Sequence, residues 1–298
     1  MVYSFDKVTE GIYYLRTPYA DQAVGVTLVK GERRENTVLI DAGARADTVT
    51  ECIIPALKEL NMSLRDVGTV TFTHFHTDNI RGLFALVNEA PGICVAVPRG
   101  TRERIQNPMY YIIKDREVFP MHNPGFEELS GVLVDREITD EGMLAGMKLI
   151  SAPGHDDDCF CWFHLKSGTL ISGDALQGNG NAHQGVPSYK SISDYLATLE
   201  KLRRLPVKHL VASRSMDGLR DVEHGEEGFP VRIARCEECV KDVGAMIGEL
   251  MRNGLTDTAE IAKALSVGYF KAEPSALCYA MQTVSAHIRE GVLGNCDE

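Results

Sequence analysis

Several short, apolar, β-prone runs in this chain stop at residues able to bind a metal or move a proton. Residues 37–40 run straight into Asp41-Ala42-Gly43, and residues 67–73 end at His74-Phe75-His76-Thr77-Asp78. A strand at 147–150 precedes Ala152-Pro153-Gly154-His155, where Pro and Gly force a turn that presents the ring. A fourth run, from Thr169, leads through Ser172-Gly173 to Asp174. Apolar strands must be covered on both sides, while their ends gather polar loops. The pattern therefore predicts a layered α/β protein with a site along one rim of a sheet sandwich.

The remaining elements fit this frame. Residues 11–16 and 23–29 are β-rich, and a helix carrying Ile53, Leu57 and Leu60 on one face follows Gly43. A helix is expected over 80–90 and a buried strand over 93–97. Residues 107–130, with Pro108, Pro120, Pro124 and Gly125, read as an irregular insertion or lid. Strands are expected to resume at 131–134, and a hairpin should turn at Lys166-Ser167-Gly168. Ser191-Ile192-Ser193-Asp194 has the spacing of a helix start, with Leu196, Leu199, Leu202 and Leu205 as the apolar stripe. A strand at 208–212 closes the mixed part. From about 229 the pattern is helical only, so residues 1–225 are expected to form a catalytic domain and 226–298 a small helical C-terminal module.

Bulk properties narrow the function. The chain has 298 residues, 44% hydrophobic and 24% charged, with a net charge of −11 that argues against a broad nucleic-acid surface. It has no apolar run of the roughly 18–20 residues that a membrane span needs. The N-terminal residues lack the pattern of a signal peptide, so a cytoplasmic location is expected, with no membrane partner. The eight cysteines are scattered and are expected to be reduced and mostly buried. Self-association is compatible with the sequence but not specified by it.

His74 and His76 lie two apart, so an extended backbone points both rings the same way, and Asp78 continues that alternation. Imidazoles beside a carboxylate suit a borderline-soft divalent ion. His155 and Asp174 add ligand types from two other strand ends.

The ordered set HxHxD, Pro-Gly-His and Ser-Gly-Asp, together with Asp41-Ala42-Gly43, resembles the metallo-β-lactamase superfamily over about residues 10–220. The resemblance implies an αββα sandwich and a metal-dependent hydrolase. It implies that His74, His76 and His155 hold a first metal, that Asp174 bridges to a second, and that Asp78 binds the second or orients water. Zinc is the first expectation for the ion, with iron or manganese as alternatives. Two positions depart from the family pattern. Asn79 stands where a histidine usually follows the motif aspartate, and Arg214 falls near the histidine expected after the last core strand. A guanidinium cannot ligate a metal, so a second metal is not expected. Arg214 would instead pair with Asp78 and Asp174 or hold an anionic part of the substrate, unless His209 or His224 supplies the missing ligand.

Lesser candidates surround this set. Asp156-Asp157-Asp158 forms either a solvated acidic loop or a second layer of hydrogen bonds behind the ligands. His183 and Tyr189 are candidate substrate contacts. Cys236 and Cys239 lie within a helical pattern and read as packing residues, as do Cys159 and Cys161. The chain is thus expected to direct a metal-activated water at a small ester, thioester, lactone or amide. The rivals are a phosphodiesterase or nuclease of the same fold, and a non-hydrolytic binding or sensing protein.

Overall fold

A computed structural model describes residues 3–19, 22–118, 129–180, 186–216, 218–270 and 277–291. The first sheet has seven strands in sequence order: β1 (Asp6–Thr9), β2 (Ile12–Tyr19), β3 (Gln22–Val29), β4 (Val38–Ile40), β5 (Thr69–Thr71), β6 (Cys94–Pro98) and β7 (Arg136–Ile138). The second has six: β8 (Met143–Leu144), β9 (Met147–Ser151), β10 (Phe160–His164), β11 (Thr169–Gly173), β12 (His209–Ala212) and β13 (Val222–His224), with β13 at one edge and β8 at the other.

Alternation along the strands creates the layers. Val38 and Ile40 join Met147, Leu149, Trp162, Ile171 and Val211 in a core shared by both sheets, while Leu39 turns outward. It packs with Val70, Phe72 and Val97 under the helices α1 (Ile54–Glu59), α2 (Thr77–Ile80) and α3 (Leu83–Glu89). On the far face of the second sheet, Ile150, Cys161, Phe163, Leu170 and Leu210 pack under α6 (Ile192–Arg203) and the long α7 (Gly228–Arg252). Two shorter helices, α4 (Arg102–Gln106) and α5 (Pro108–Val118), precede α6. The chain thus forms the expected αββα sandwich. The C-terminal helices α8 (Thr258–Lys263) and α9 (Leu277–Glu290) build a further cluster with α7 around Val243, Ile247, Ile261, Leu265 and Val284.

Strand direction delivers the site. β4 and β5 pair in parallel, so both point towards one edge of the first sheet. In the second sheet β10 is antiparallel to β9 and β11, whereas β11 is parallel to β12, so β9, β11 and β12 share a direction. Asp41, His74, His155, Asp174 and Arg214 all follow the C-terminal ends of these five strands. The sheets are tied near that rim, where Phe160 donates its backbone N–H to the Thr73 carbonyl at 2.7 Å and the Trp162 indole donates to the Phe72 carbonyl at 3.1 Å.

Some sequence expectations need correction. Residues 108–118 are helical, because Pro108 sits at the first helical position, where its missing N–H costs nothing. Residues 119–128 of the proposed lid lie outside the described residues. Residues 131–134 form no strand, and pairing with β6 starts only at Arg136. Asp78 does not extend the alternation after His76: His76 caps a short helix, and Asp78 lies in its first turn. Ser191 does cap α6, accepting from the Asp194 N–H, but Leu196 is exposed and Ile192 and Tyr195 fill its place in the stripe. Among the described residues the cysteines are free and, Cys94 apart, buried. No described helix is long and apolar enough to cross a membrane.

Candidate metal centre

Three rings converge at the rim. The ligand-type atoms of His74, His76 and His155 lie within 4.8 Å of one another, and His155 Nε2 is 3.1 Å from His76 Nδ1. The outward nitrogen of each ring meets an oxygen. His74 Nδ1 lies 3.0 Å from Thr73 Oγ1, which itself lies 2.8 Å from the buried Asp41 carboxyl, a group that burial pushes up to about 8. His155 Nδ1 donates to the Ser188 carbonyl at 2.8 Å, and His76 Nε2 faces Asp156 at 3.3 Å. A proton on His155 Nδ1 leaves its Nε2 with an inward lone pair, the Asn79 amide that donates to His74 Nε2 marks the lone pair there, and His76 turns its Nδ1 inward beside them. Burial, with the neighbouring His76, pushes His74 down to about 3 and His155 down to about 4, so both rings are neutral. His76 differs: burial lowers it, but Asp156 outweighs burial and raises it. Three ring nitrogens converging at one point, two of them on neutral rings, fit a divalent ion.

The turns that present these groups tolerate little change. Gly154, before His155, has φ +135°, and a Cβ there would lie 2.5 Å from the Tyr195 backbone. Gly173, before Asp174, has φ +55°, and a Cβ there would lie 2.5 Å from the Thr73 side chain.

Beside the histidines lies a closed charge cluster. The Arg214 guanidinium, only 4% exposed, contacts Asp78 Oδ2 at 2.5 Å and Asp174 Oδ2 at 3.0 Å, while its Nε donates to Asp174 Oδ1 at 3.2 Å. Burial would raise both carboxylates, yet the guanidinium holds them below the usual range. Asp174 Oδ2 also stands 3.8 Å from both His74 Nε2 and His155 Nε2. Asn79 donates to Asp78 Oδ1 at 3.1 Å and places the same amide nitrogen 3.1 Å from His74 Nε2. Of the two arrangements open to Arg214, the geometry is that of a partner to both carboxylates. Its place is fixed by the preceding Ser213 carbonyl, which accepts from Gly25 N and the Tyr14 hydroxyl. His209 and His224 lie at the opposite end of β12, facing each other with their Nδ1 atoms 3.2 Å apart.

A cavity opens from this cluster. His76, Asp78, Asp174 and Arg214 line its polar end, and Tyr19, Phe75, Ile80, Pro108, Tyr111 and Ile112 line its apolar walls. Lys190 and Arg104 stand at the wall with Asp156, which takes Lys190 Nζ at 2.5 Å and Arg104 at 3.5 Å. Asp156 is therefore a buried anchor for His76, rather than part of a solvated loop. Tyr189 does not reach the cavity. It is fully buried against Tyr195, with ring centroids 4.5 Å apart, and its neighbours Ser188 and Lys190 line the wall instead. Alternation along residues 188–190 carried that signal. His183 lies outside the described residues. Cys278, Tyr279 and Gln282 come to the wall from α9, where no motif marks them.

Comparison with known proteins places this geometry. The family model of the metallo-beta-lactamase superfamily matches residues 22–214. The chain belongs to that superfamily. The match spans the residues at the rim, from Asp41 to Arg214. Among superfamily relatives, a beta-lactamase-like protein 2 homolog of Caenorhabditis elegans is 26% identical over 69% of this chain, but the match spans only 64% of that protein's length. A Bacillus subtilis (strain 168) protein named "Probable metallo-hydrolase YqjP" is 27% identical over 66% of this chain and 69% of its own. An atrochrysone carboxyl ACP thioesterase of Cryptosporiopsis sp. (strain 8999) is 24% identical over 56% of this chain and 41% of its own. The structure of a metallo-beta-lactamase family protein from Thermus thermophilus shares the fold, with a TM-score of 0.70 at 17% identity over 96% of this chain and 95% of that one. The chain thus carries the fold of a superfamily of metal-dependent hydrolases, with a histidine cluster able to hold a divalent ion.

Proposed function

We propose that this protein is a hydrolase with a single metal, zinc in the first instance, that cleaves a small ester, thioester, lactone or amide with an apolar acyl part. The observation that carries this reading is the set of three inward ring nitrogens, each ring backed by an oxygen, next to a pair of carboxylates that share one guanidinium. His74, His76 and His155 would hold the ion. When bound, it supplies Lewis acidity, which activates water and polarises the scissile carbonyl.

The protein's own groups do the rest. Asp174 presents Oδ2 to the histidine nitrogens and is the carboxylate best placed to orient the attacking water, while Arg214 keeps it ionised. Asp78 is committed to Arg214 and Asn79, which suits it to fixing the guanidinium more than to proton transfer. Arg214 supplies half of the positive charge that a second divalent metal would bring, and its pairing leaves it poorly available for an anionic substrate group. The walls of Phe75, Ile80, Tyr111 and Ile112 favour an apolar acyl chain or ring. One relative is named as a thioesterase, which makes thioesters the first class to try. Phosphodiester cleavage generally uses two metals to clamp the attacking and leaving oxygens, and this arrangement offers one.

The test is turnover by metal-loaded protein of acyl thioesters and lactones of increasing acyl length, set against bis-(p-nitrophenyl) phosphate. Acyl turnover rising with apolar acyl size supports the reading. Phosphodiester turnover alone, or a protein that binds no metal, would overturn it.

A further inference from the structure

The segment from Pro187 to Lys190 has no regular structure, yet it carries the carbonyl that sets the tautomer of His155. Its inner side is held by Gln177, whose Oε1 accepts from Ser188 N at 3.2 Å and whose Nε2 donates to the Asp174 carbonyl at 2.8 Å. Lys190 N adds a bond to the Gly154 carbonyl at 2.7 Å.

The outer side is held by α9. Thr283 Oγ1 donates to the Pro187 carbonyl at 2.6 Å and accepts from Tyr189 N at 3.3 Å, so it brackets Ser188. Gln282 Nε2 donates to Ser188 Oγ at 3.1 Å and reaches the carbonyl of His155 itself at 3.5 Å. Seven residues on, about two helical turns, the same helix grips the next part of the segment. Arg289 donates to the Lys190 carbonyl at 2.5 Å, and Glu290 accepts from Ile192 N and Ser193 N at the start of α6.

We infer that Gln282 and Thr283 are positioning residues for the metal ligand His155, acting through Ser188, so that the C-terminal helix is a working part of the metal centre. The inference rests on the reading of His155 as a ligand. A partner behind a metal-bound histidine typically changes metal affinity by about 10–100-fold. Neither residue touches the ion, and both belong to a region outside the matched family segment.

The experiment is competition for zinc between the full-length protein and a chromophoric chelator, read beside thermal unfolding. The variants are Thr283→Val, Gln282→Leu, Thr283→Ser and Ile288→Ala. Ile288 packs in the C-terminal helical cluster and serves as a control for stability alone. Thr283→Val and Gln282→Leu are expected to weaken zinc affinity by about tenfold or more. Thr283→Ser keeps the hydroxyl and should stay near wild type, and Ile288→Ala should lower Tm with unchanged affinity. If Thr283→Val does not fold, Gln282→Leu decides. Wild-type affinity in the folded Val and Leu variants, or an equal loss in Ile288→Ala, would overturn the inference. His76→Ala tests the underlying reading separately: if it binds zinc as tightly as wild type, the histidine site itself is misassigned.

Discussion

At Arg214, a buried guanidinium sets one positive charge between two carboxylates. Its planar donors fit Asp78 and Asp174 without a metal's coordination demands. Elemental analysis is therefore expected to give one metal per chain; two would show that the guanidinium moves aside. Arg214→Ala leaves two carboxylates buried without their partner, which should destabilise the fold by about 3–5 kcal/mol in urea titration unless a second ion enters. Asn79→His with Arg214→His should raise the metal content towards two. This pairing was legible in the sequence, because two acids near one divalent ion leave charge to be balanced. Asp156 was only half legible: its type was visible, but its contact with His76 comes from packing between distant loops. Tyr189 misled because an aromatic after a glycine-rich stretch resembles a substrate contact, whereas backbone parity turns it into the core.

Among the elements, α9 joins the sandwich to the C-terminal helices, and one end of that join titrates. Burial pushes the Glu290 carboxyl up, but the N–H groups of Ser193 and Ile192 and the neighbouring Arg289 outweigh it and hold it below its ordinary value. A carboxylate lowered by folding stabilises the folded state above its unfolded pKa of about 4.3, and that contribution disappears as pH falls through the folded value. The protection factors of the Ile192 and Ser193 amides should accordingly fall below about pH 4, and Glu290→Gln should show faster exchange already at pH 7. Unchanged protection in Glu290→Gln would show that the cap contributes little. By contrast, Cys236→Ser with Cys239→Ser should keep the metal content of wild type, since Cys236 packs with Tyr189 and Tyr195 and accepts from Gly178 N, and Cys239 packs among the C-terminal helices. Helices with a clean apolar period, such as α6 and α7, could be read directly. α5 could not, because Pro108 and the paired tyrosines imitate a loop.

For the whole molecule, ligand binding and folding are coupled, because the donors come together only when both sheets are in place. Removal of the ion by a chelator should lower Tm, and restoring it at about a thousandfold excess over Kd should return about 4 kcal/mol of stability. An unchanged Tm would mean that the histidines hold their arrangement without help. The order of the core elements and the residues that gather at the rim were visible along the chain, because both follow from periodicity and from strand ends. The walls of the cavity were not, since Arg104, Lys190 and Gln282 meet only through tertiary packing. His74 and His76 belong to one sheet, and His155, Asp174 and Arg214 to the other. The centre therefore works like the tips of a pair of calipers, gauging how the two halves are aligned. A slide of one sheet over the other by a fraction of a bond length would open the tips while leaving each half folded. Catalysis should then fail in mild denaturant before the circular dichroism of either sheet changes.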